Sequence, residues 1–197
     1  MKPIRFVTGT AVPLDRSDVD TDQIIPSEWL KRIERTGFGA GLFAEWRDGP
    51  DFVLNHPEHA GATVLIAGPN FGTGSSREHA VWALTDFGFQ AVVSERFADI
   101  FRNNCTKSGL VPVEIPAASV RALMAAVTEQ PSLEITIDVE HETIAAPEAG
   151  IVARFNLGPH VRHRLLHGLD DIGITLAHEP EISYYEASRP AWMPVTI

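Results

Sequence analysis

This sequence predicts an α/β fold, a mostly parallel core sheet flanked by helices, on three observations. From Ala62 onward, apolar runs alternate with stretches of helical spacing. Each run is continuously apolar rather than apolar and polar by turns, which is the pattern of a strand covered on both faces. A glycine-rich turn, "PNFGTGSS", joins the first run directly to a helix, and repeated strand–turn–helix units of this kind build a layered parallel sheet.

The elements follow in order. Residues 4–8, "IRFVT", read as a short strand, and "DRSDVDTDQIIP" reads as a loop leading to a helix from Ser27, "SEWLKRIER". Residues 36–61 are rich in Gly, Pro and aromatics and read as an excursion with one helical turn around Leu42 to Trp46. Then come strand 62–68, a helix near 76–87, strand "AVVSE", helix "RFADIFRNN", strand "LVPVEI" and a helix over 117–129. "SLEITIDVEHETIAA" and "GIVARFNL" are extended, and residues 159–188 are helical. The tail "RPAWMPVTI" carries two prolines and reads as irregular.

At 197 residues with 44% hydrophobic residues, the chain suits one core. The expectation is a single domain over 1–197 with a helical C-terminal extension from about 159. A formal net charge of -10 and no basic stripe argue against nucleic-acid binding, which needs clustered Lys and Arg. No apolar segment suits a signal peptide or approaches the ~20 residues of a membrane span, so a cytoplasmic protein is expected. Cys105 is the only cysteine, so the chain forms no internal disulfide and cannot ligate an iron–sulfur cluster by itself.

Chemistry concentrates at Pro69 to Ala80, "PNFGTGSSREHA". Ser75 with Glu78 matches an S-x-x-E capping box, so these residues could simply start a helix. Two features resist that reading. A cap needs one hydroxyl, and Ser75 and Ser76 supply two; a cationic Arg77 in the first turn opposes the positive end of the helix dipole. A bound anion removes the conflict, because first-turn amides, two hydroxyls and a guanidinium fork converge on a carboxylate or phosphate. A P-loop lysine, the third glycine of a dinucleotide fingerprint and the G-x-S-x-G elbow are all missing, which leaves small carboxylates as the favoured anion.

"NFGTGSSREHAVWAL" resembles the signature of the swivelling domain of the aconitase superfamily. With "DVDTDQIIPSEWLKRIERTGFGAGLF" and "GLDDIGITLAHEPEISYYE", the chain is similar to the small subunits of bacterial 3-isopropylmalate dehydratases over nearly its whole length. The resemblance implies a swivelling β/β/α domain and a hydro-lyase of leucine biosynthesis that isomerises 2-isopropylmalate to 3-isopropylmalate by dehydration and rehydration. A related homoaconitase- or citraconate-type hydro-lyase is the alternative. It implies a [4Fe-4S] cluster on a partner large subunit, none on this chain, and a small dicarboxylate substrate. It further implies Ser75 as the base, Gly74, Ser76 and Arg77 at the substrate carboxylates, and Asp20 and Asp22 as supports near the site. Trp29 and Leu30 fall where that family places its substrate-recognition loop, although they also share an apolar face with Ile33 as ordinary core positions.

Other residues have weaker claims. Asp18, Asp20 and Asp22 alternate as in a Ca²⁺ loop but lack the EF-hand glycine and glutamate. His160, His163 and His167 share a helical face, yet Arg162 and Arg164 are interleaved and no cysteine is near, so a surface row is expected rather than zinc. The resembled pattern has a cysteine near Arg164, a departure far from the serine pair. Cys105 reads as an inert buried thiol in a strand-to-helix connection, and Glu78 and His79 as supports beside the site. Three readings stand: the catalytic member of a two-chain hydro-lyase, a stand-alone anion-binding module, or a structural partner with a decorated helix cap. Dependence on a second, cluster-bearing chain separates the first two, and the effect of Ser75→Ala on activity tests the third.

Overall fold

The computed structural model describes residues 1–31, 36–75, 77–190 and 192–193. Two four-stranded sheets organise it. Strands β1 (Phe6–Gly9) and β2 (Ala11–Leu14) follow one another but enter different sheets. With β3 (Val64–Ala67), β4 (Ala91–Ser94) and β5 (Val111–Glu114), β2 builds an all-parallel sheet in the order β2-β3-β4-β5. With β6 (Ile135–Asp138), β7 (Thr143–Ala146) and β8 (Ile151–Arg154), β1 builds an antiparallel sheet in the order β1-β6-β7-β8.

The parallel sheet is the shared wall between two apolar cores. In β3, Leu65 and Ala67 face one core and Val64 and Ile66 the other; in β4, Val92 faces the first and Ala91 and Val93 the second. All of these side chains are buried, so both strands read as continuous apolar runs. Each buried Leu, Ile or Val contributes roughly 1.5–3 kcal/mol relative to exposure.

The helices take sides. The short helices α1 (Thr21–Ile24) and α2 (Ala44–Arg47) belong to the connection between β2 and β3. Helix α3 (Glu78–Phe87) buries Ala80, Val81, Ala83 and Leu84 in the first core, beside Phe101 and Cys105 of α4 (Asp99–Ser108). Helix α5 (Ala117–Glu129) lies on the opposite face, where Val120, Leu123 and Val127 join Ile135, Ile137 and Ile144 of the antiparallel sheet in the second core. The layers are thus antiparallel sheet with α5, parallel sheet, then α3 and α4. The C-terminal region forms α6 (Pro159–His167), α7 (Asp171–Leu176) and α8 (Glu179–Ala187).

Several expectations are corrected. Strand β2 is absent from the sequence reading because "AVPL" contains a proline; Pro13 is tolerated because β2 is an edge of its sheet, as Pro112 is in β5 at the other edge. The loop "DRSDVDTDQIIP" contains a capped helix, α1. The helix expected from Ser27 is a 3-10 segment, Ser27–Lys31, and the rest of that expectation, residues 32–35, lies outside the described residues. Helix α4 runs to Ser108, so Cys105 is in mid-helix and not in a connection. It is nonetheless fully buried, and that burial pushes its thiol well above its ordinary value.

Candidate functional site

The turn from β3 into α3 is fixed by a second loop running beside it. Asp18 N–H donates to the Pro69 carbonyl at 2.8 Å, Gly72 N–H to Val19 at 2.8 Å, and Thr21 N–H to Thr73 at 2.9 Å. The Thr21 hydroxyl donates to the Ser75 carbonyl at 3.1 Å. Asp20 caps α1: its carboxylate accepts from Gln23 N–H at 2.8 Å, while the Gln23 side chain accepts from Asp20 N–H at 3.0 Å. A capping box therefore exists here, but at Asp20-x-x-Gln23. The one expected at Ser75-x-x-Glu78 does not form, because α3 begins at Glu78 with Arg77 as an extended N-cap that makes no side-chain cap bond. A box would need Glu78 at the third helical position, and it occupies the first.

Glycines set the path of this turn. Gly72 has φ +81°, and a Cβ there would lie 2.2 Å from Phe101 Cγ, so only glycine lets the backbone press on that ring. Phe101 in turn packs edge-on to Phe71 at 5.3 Å. The neighbouring segment is stitched in too: Phe71 N–H donates to the Arg96 carbonyl at 3.2 Å, and Ala98 N–H to the Phe71 carbonyl at 3.1 Å. The starts of α3 and α4 are thereby held side by side.

Between them lies a cavity of about 260 Å³ lined by Thr21, by Gly74, Ser75 and Arg77, and by the first turn of α4 with Asp99 and Ile100. Ser75 and Gly74 are exposed and Arg77 is half-buried. The Arg77 guanidinium donates to the Asp22 carboxylate, an ion pair that aims it along this wall. A guanidinium carries five N–H donors, so this bond leaves others for a bound carboxylate. The positive end of α3, a guanidinium and an exposed serine in one recess can hold a small carboxylate and stabilise negative charge developing beside it.

The remaining candidates fall in different places. Ser76 lies outside the described residues. Asp20 and Asp22 stand at the site, one as cap and one on Arg77, while Asp18 accepts from Asn70 at 2.8 Å. Three aspartates with three separate partners do not form a cation cage. Glu78 is exposed at the start of α3. The His79 ring packs 4.7 Å from Trp82 and edge-on to Phe38 at 5.3 Å, and it does not line the cavity. Trp29 and Leu30 are half-buried against the first core, and Trp29 lies so close over Gly41 that a Cβ there would be 2.5 Å from its ring. The structure does not bring either of them to the cavity lining. The His163 and His167 rings lie 4.1 Å apart, with His167 Nδ1 2.9 Å from the His163 carbonyl. Among the described residues no three His, Cys, Asp or Glu side chains converge as metal ligands.

A larger recess of about 380 Å³, around Arg16, Trp46 and Phe52, lies elsewhere on the excursion; its Arg16 guanidinium stacks 4.1 Å over Trp46. Three contributors at the smaller cavity, Thr21, Asp99 and Ile100, escape a reading of the sequence. The D-x-x-Q spacing around Thr21 is a readable signal for a capped turn. Nothing local in "FADIF" announces that its aspartate and isoleucine meet the serine turn.

The family model described as the aconitase C-terminal domain matches residues 1–118, which makes this β/β/α scaffold a swivelling domain of the aconitase superfamily. A second model, for the C-terminal domain of the 3-isopropylmalate dehydratase small subunit, matches residues 171–196. The 3-isopropylmalate dehydratase small subunit of Parafrankia sp. is 63% identical over 196 residues, covering 100% of both chains. That of Rubrobacter xylanophilus is 60% identical over 98% of each. The crystal structure of 3-isopropylmalate dehydratase from Methanocaldococcus jannaschii superposes with a TM-score of 0.68 at 26% identity, covering 91% of this chain and 98% of that one. The chain belongs to the 3-isopropylmalate dehydratase small-subunit family.

An aconitase-type cluster requires several cysteine thiolates. This chain has one cysteine, and Cys105 is buried inside α4, so its residues do not fit the cluster. No helix of the described residues is long and apolar enough to cross a membrane.

Proposed function

We infer that this chain is the small subunit of a 3-isopropylmalate dehydratase, a cytoplasmic hydro-lyase that converts 2-isopropylmalate to 3-isopropylmalate by loss and return of water in leucine biosynthesis. The observation that carries the reading is the shared cavity of Ser75 and Arg77 at the mouth of α3 in a chain of this family. A [4Fe-4S] cluster, which the single buried cysteine of this chain cannot hold, would come from the large subunit and would supply Lewis acidity.

This chain contributes carboxylate recognition and a proton acceptor. Arg77 takes one substrate carboxylate through its planar fork, oriented by Asp22. Ser75 accepts the proton alpha to a carboxylate. A serine hydroxyl ionises unwillingly in water, and here Arg77 and the positive end of α3 stabilise the charged form. Gly74, at φ +89° and close to Asp20 and Thr21, turns the chain so that Ser75 faces the cavity. Ser76 completes carboxylate recognition in this reading.

The test is made on the enzyme reconstituted with its large subunit. Arg77→Lys keeps the charge and loses the fork; kcat/KM should fall by about 100-fold or more with the melting temperature nearly unchanged. Ser75→Ala should abolish turnover while substrate binding stays measurable, because a base acts on the transition state more than on the ground state. Near wild-type turnover in either variant overturns the assignment.

A further inference from the structure

The cavity beside Ser75 has two unlike walls. One, from the glycine turn, carries Ser75 and Arg77. The other is the first turn of α4, and it presents a carboxylate, Asp99, next to a large apolar side chain, Ile100. Ile100 is 50% exposed in a chain whose sheets bury nearly all of their isoleucines and valines. A lone exposed isoleucine is ordinary on a protein surface, and an aspartate in the first turn of a helix is explained by the dipole alone. What sets this pair apart is its place in the recess that holds the serine and the guanidinium.

We propose that Asp99 and Ile100 determine substrate selectivity: Ile100 receives the apolar branch of the substrate, and Asp99 repels any additional carboxylate. The inference rests on the isopropylmalate reading and extends it to residues on the opposite wall. A branched dicarboxylate and a tricarboxylate of the same reaction class differ at one position, where one carries methyls and the other a negative charge. Discrimination between them needs apolar contact for the first and electrostatic repulsion of the second. The α4 turn supplies both, and its one cation, Arg102, donates to the Asn156 carbonyl at 2.9 Å and does not line the cavity.

Selectivity also requires that this wall keep its place, since a mobile wall would yield to the wrong substrate. Phe101 follows Ile100 directly and is pinned beneath Gly72, while Ala98 is hydrogen-bonded to Phe71 at 3.1 Å. Both neighbours of the Asp99–Ile100 pair are therefore tied to the turn that carries Ser75. By contrast, Trp29 and Leu30 pack on the core and do not line the cavity.

The experiment measures kcat/KM for 2-isopropylmalate, for 2-methylmalate and for citrate, in the two-subunit enzyme carrying Ile100→Ala, Ile100→Val, Asp99→Asn or Asp99→Lys. Ile100→Ala should lower the preference for the isopropyl over the methyl substrate by about tenfold or more, and Ile100→Val by a smaller factor in the same direction. A purely structural role would lower both substrates alike. Asp99→Asn, and more strongly Asp99→Lys, should raise citrate relative to 2-isopropylmalate. Should Ile100→Ala or Asp99→Lys fail to assemble, the Ile100→Val and Asp99→Asn ratios decide the matter. Ratios unchanged in assembled variants overturn the inference while leaving the proposed activity standing; a wild-type complex that does not turn over 2-isopropylmalate overturns the proposed activity itself.

Discussion

The carboxylate of Asp22 holds the guanidinium of Arg77 across 55 residues of sequence, joining the short helix α1 to the mouth of α3. Asp22 is 56% exposed and Arg77 21%, so in solvent the pair stabilises the fold by less than about 1 kcal/mol. Its value lies in aim. Arg77 is a long, flexible side chain, and the contact restricts where its fork can point.

Asp22→Ala should therefore leave thermal stability nearly unchanged and raise KM about tenfold, with a smaller effect on kcat. Steady-state kinetics on the reconstituted enzyme checks this. A lowered KM would show that Asp22 competes with the substrate for Arg77 rather than orienting it.

Gly72→Ala should be far more damaging than Gly150→Ala, although both positions have positive φ. At Gly150, φ is +65° and nothing lies within 4 Å of a new Cβ, so only the backbone preference is lost, about 1 kcal/mol. At Gly72 a Cβ would meet Phe101 Cγ at 2.2 Å as well, and the total should reach about 2–4 kcal/mol. Urea unfolding of the purified variants compares the two. Equal losses would mean that Phe101 gives way without cost.

The parallel sheet is readable from sequence because its strands are buried on both faces, which leaves an apolar run without interruption. Strand β2 is not, because Pro13 argues against a strand anywhere except at an edge, and edge position is a property of the assembled sheet. The serine turn stands out in the sequence as a candidate site because two hydroxyls and a cation at a helix start conflict with a simple cap. Its other wall is not: Asp99 and Ile100 reach the cavity through the Phe71–Phe97 bridge and the pinning of Phe101, contacts between segments far apart in sequence. The selectivity expected of Trp29 and Leu30 rests on their place in the chain, whereas their packing is set by Gly41 and the first core.

Acid should loosen the attachment of the C-terminal helices. The Arg164 guanidinium, buried in α6, donates to the Asp171 carboxylate at the start of α7, and Lys107 of α4 approaches the same carboxylate at 3.7 Å. Hydrogen bonding and charge from Arg164, with a smaller contribution from Lys107, hold Asp171 below its ordinary value of 3.8. A carboxylate depressed in the folded state stabilises it fully above that ordinary value, and the stabilisation is lost as pH falls through the depressed value. Amide exchange over residues 171–187 should accordingly speed up below about pH 4 in the wild type, relative to the core strands. In Asp171→Asn that exchange should already be fast at neutral pH and show little dependence on acid. Among the described residues, buried Arg164 Nε has no hydrogen-bond partner, so Arg164→Met, which keeps the stem and removes that atom, should destabilise less than Asp171→Ala, which leaves the cation stranded.

The two prolines at the margins of the parallel sheet bear on how the chain meets other copies of itself. Pro13 lies in β2 and Pro112 in β5, the two outer strands of a sheet whose apolar interior would otherwise offer both flanks as templates for another strand. Proline has no amide hydrogen to donate, so each flank presents a broken row of hydrogen-bonding groups. Copies of the chain are thereby discouraged from zipping together edge to edge into aggregates, and the sheet stops at four strands.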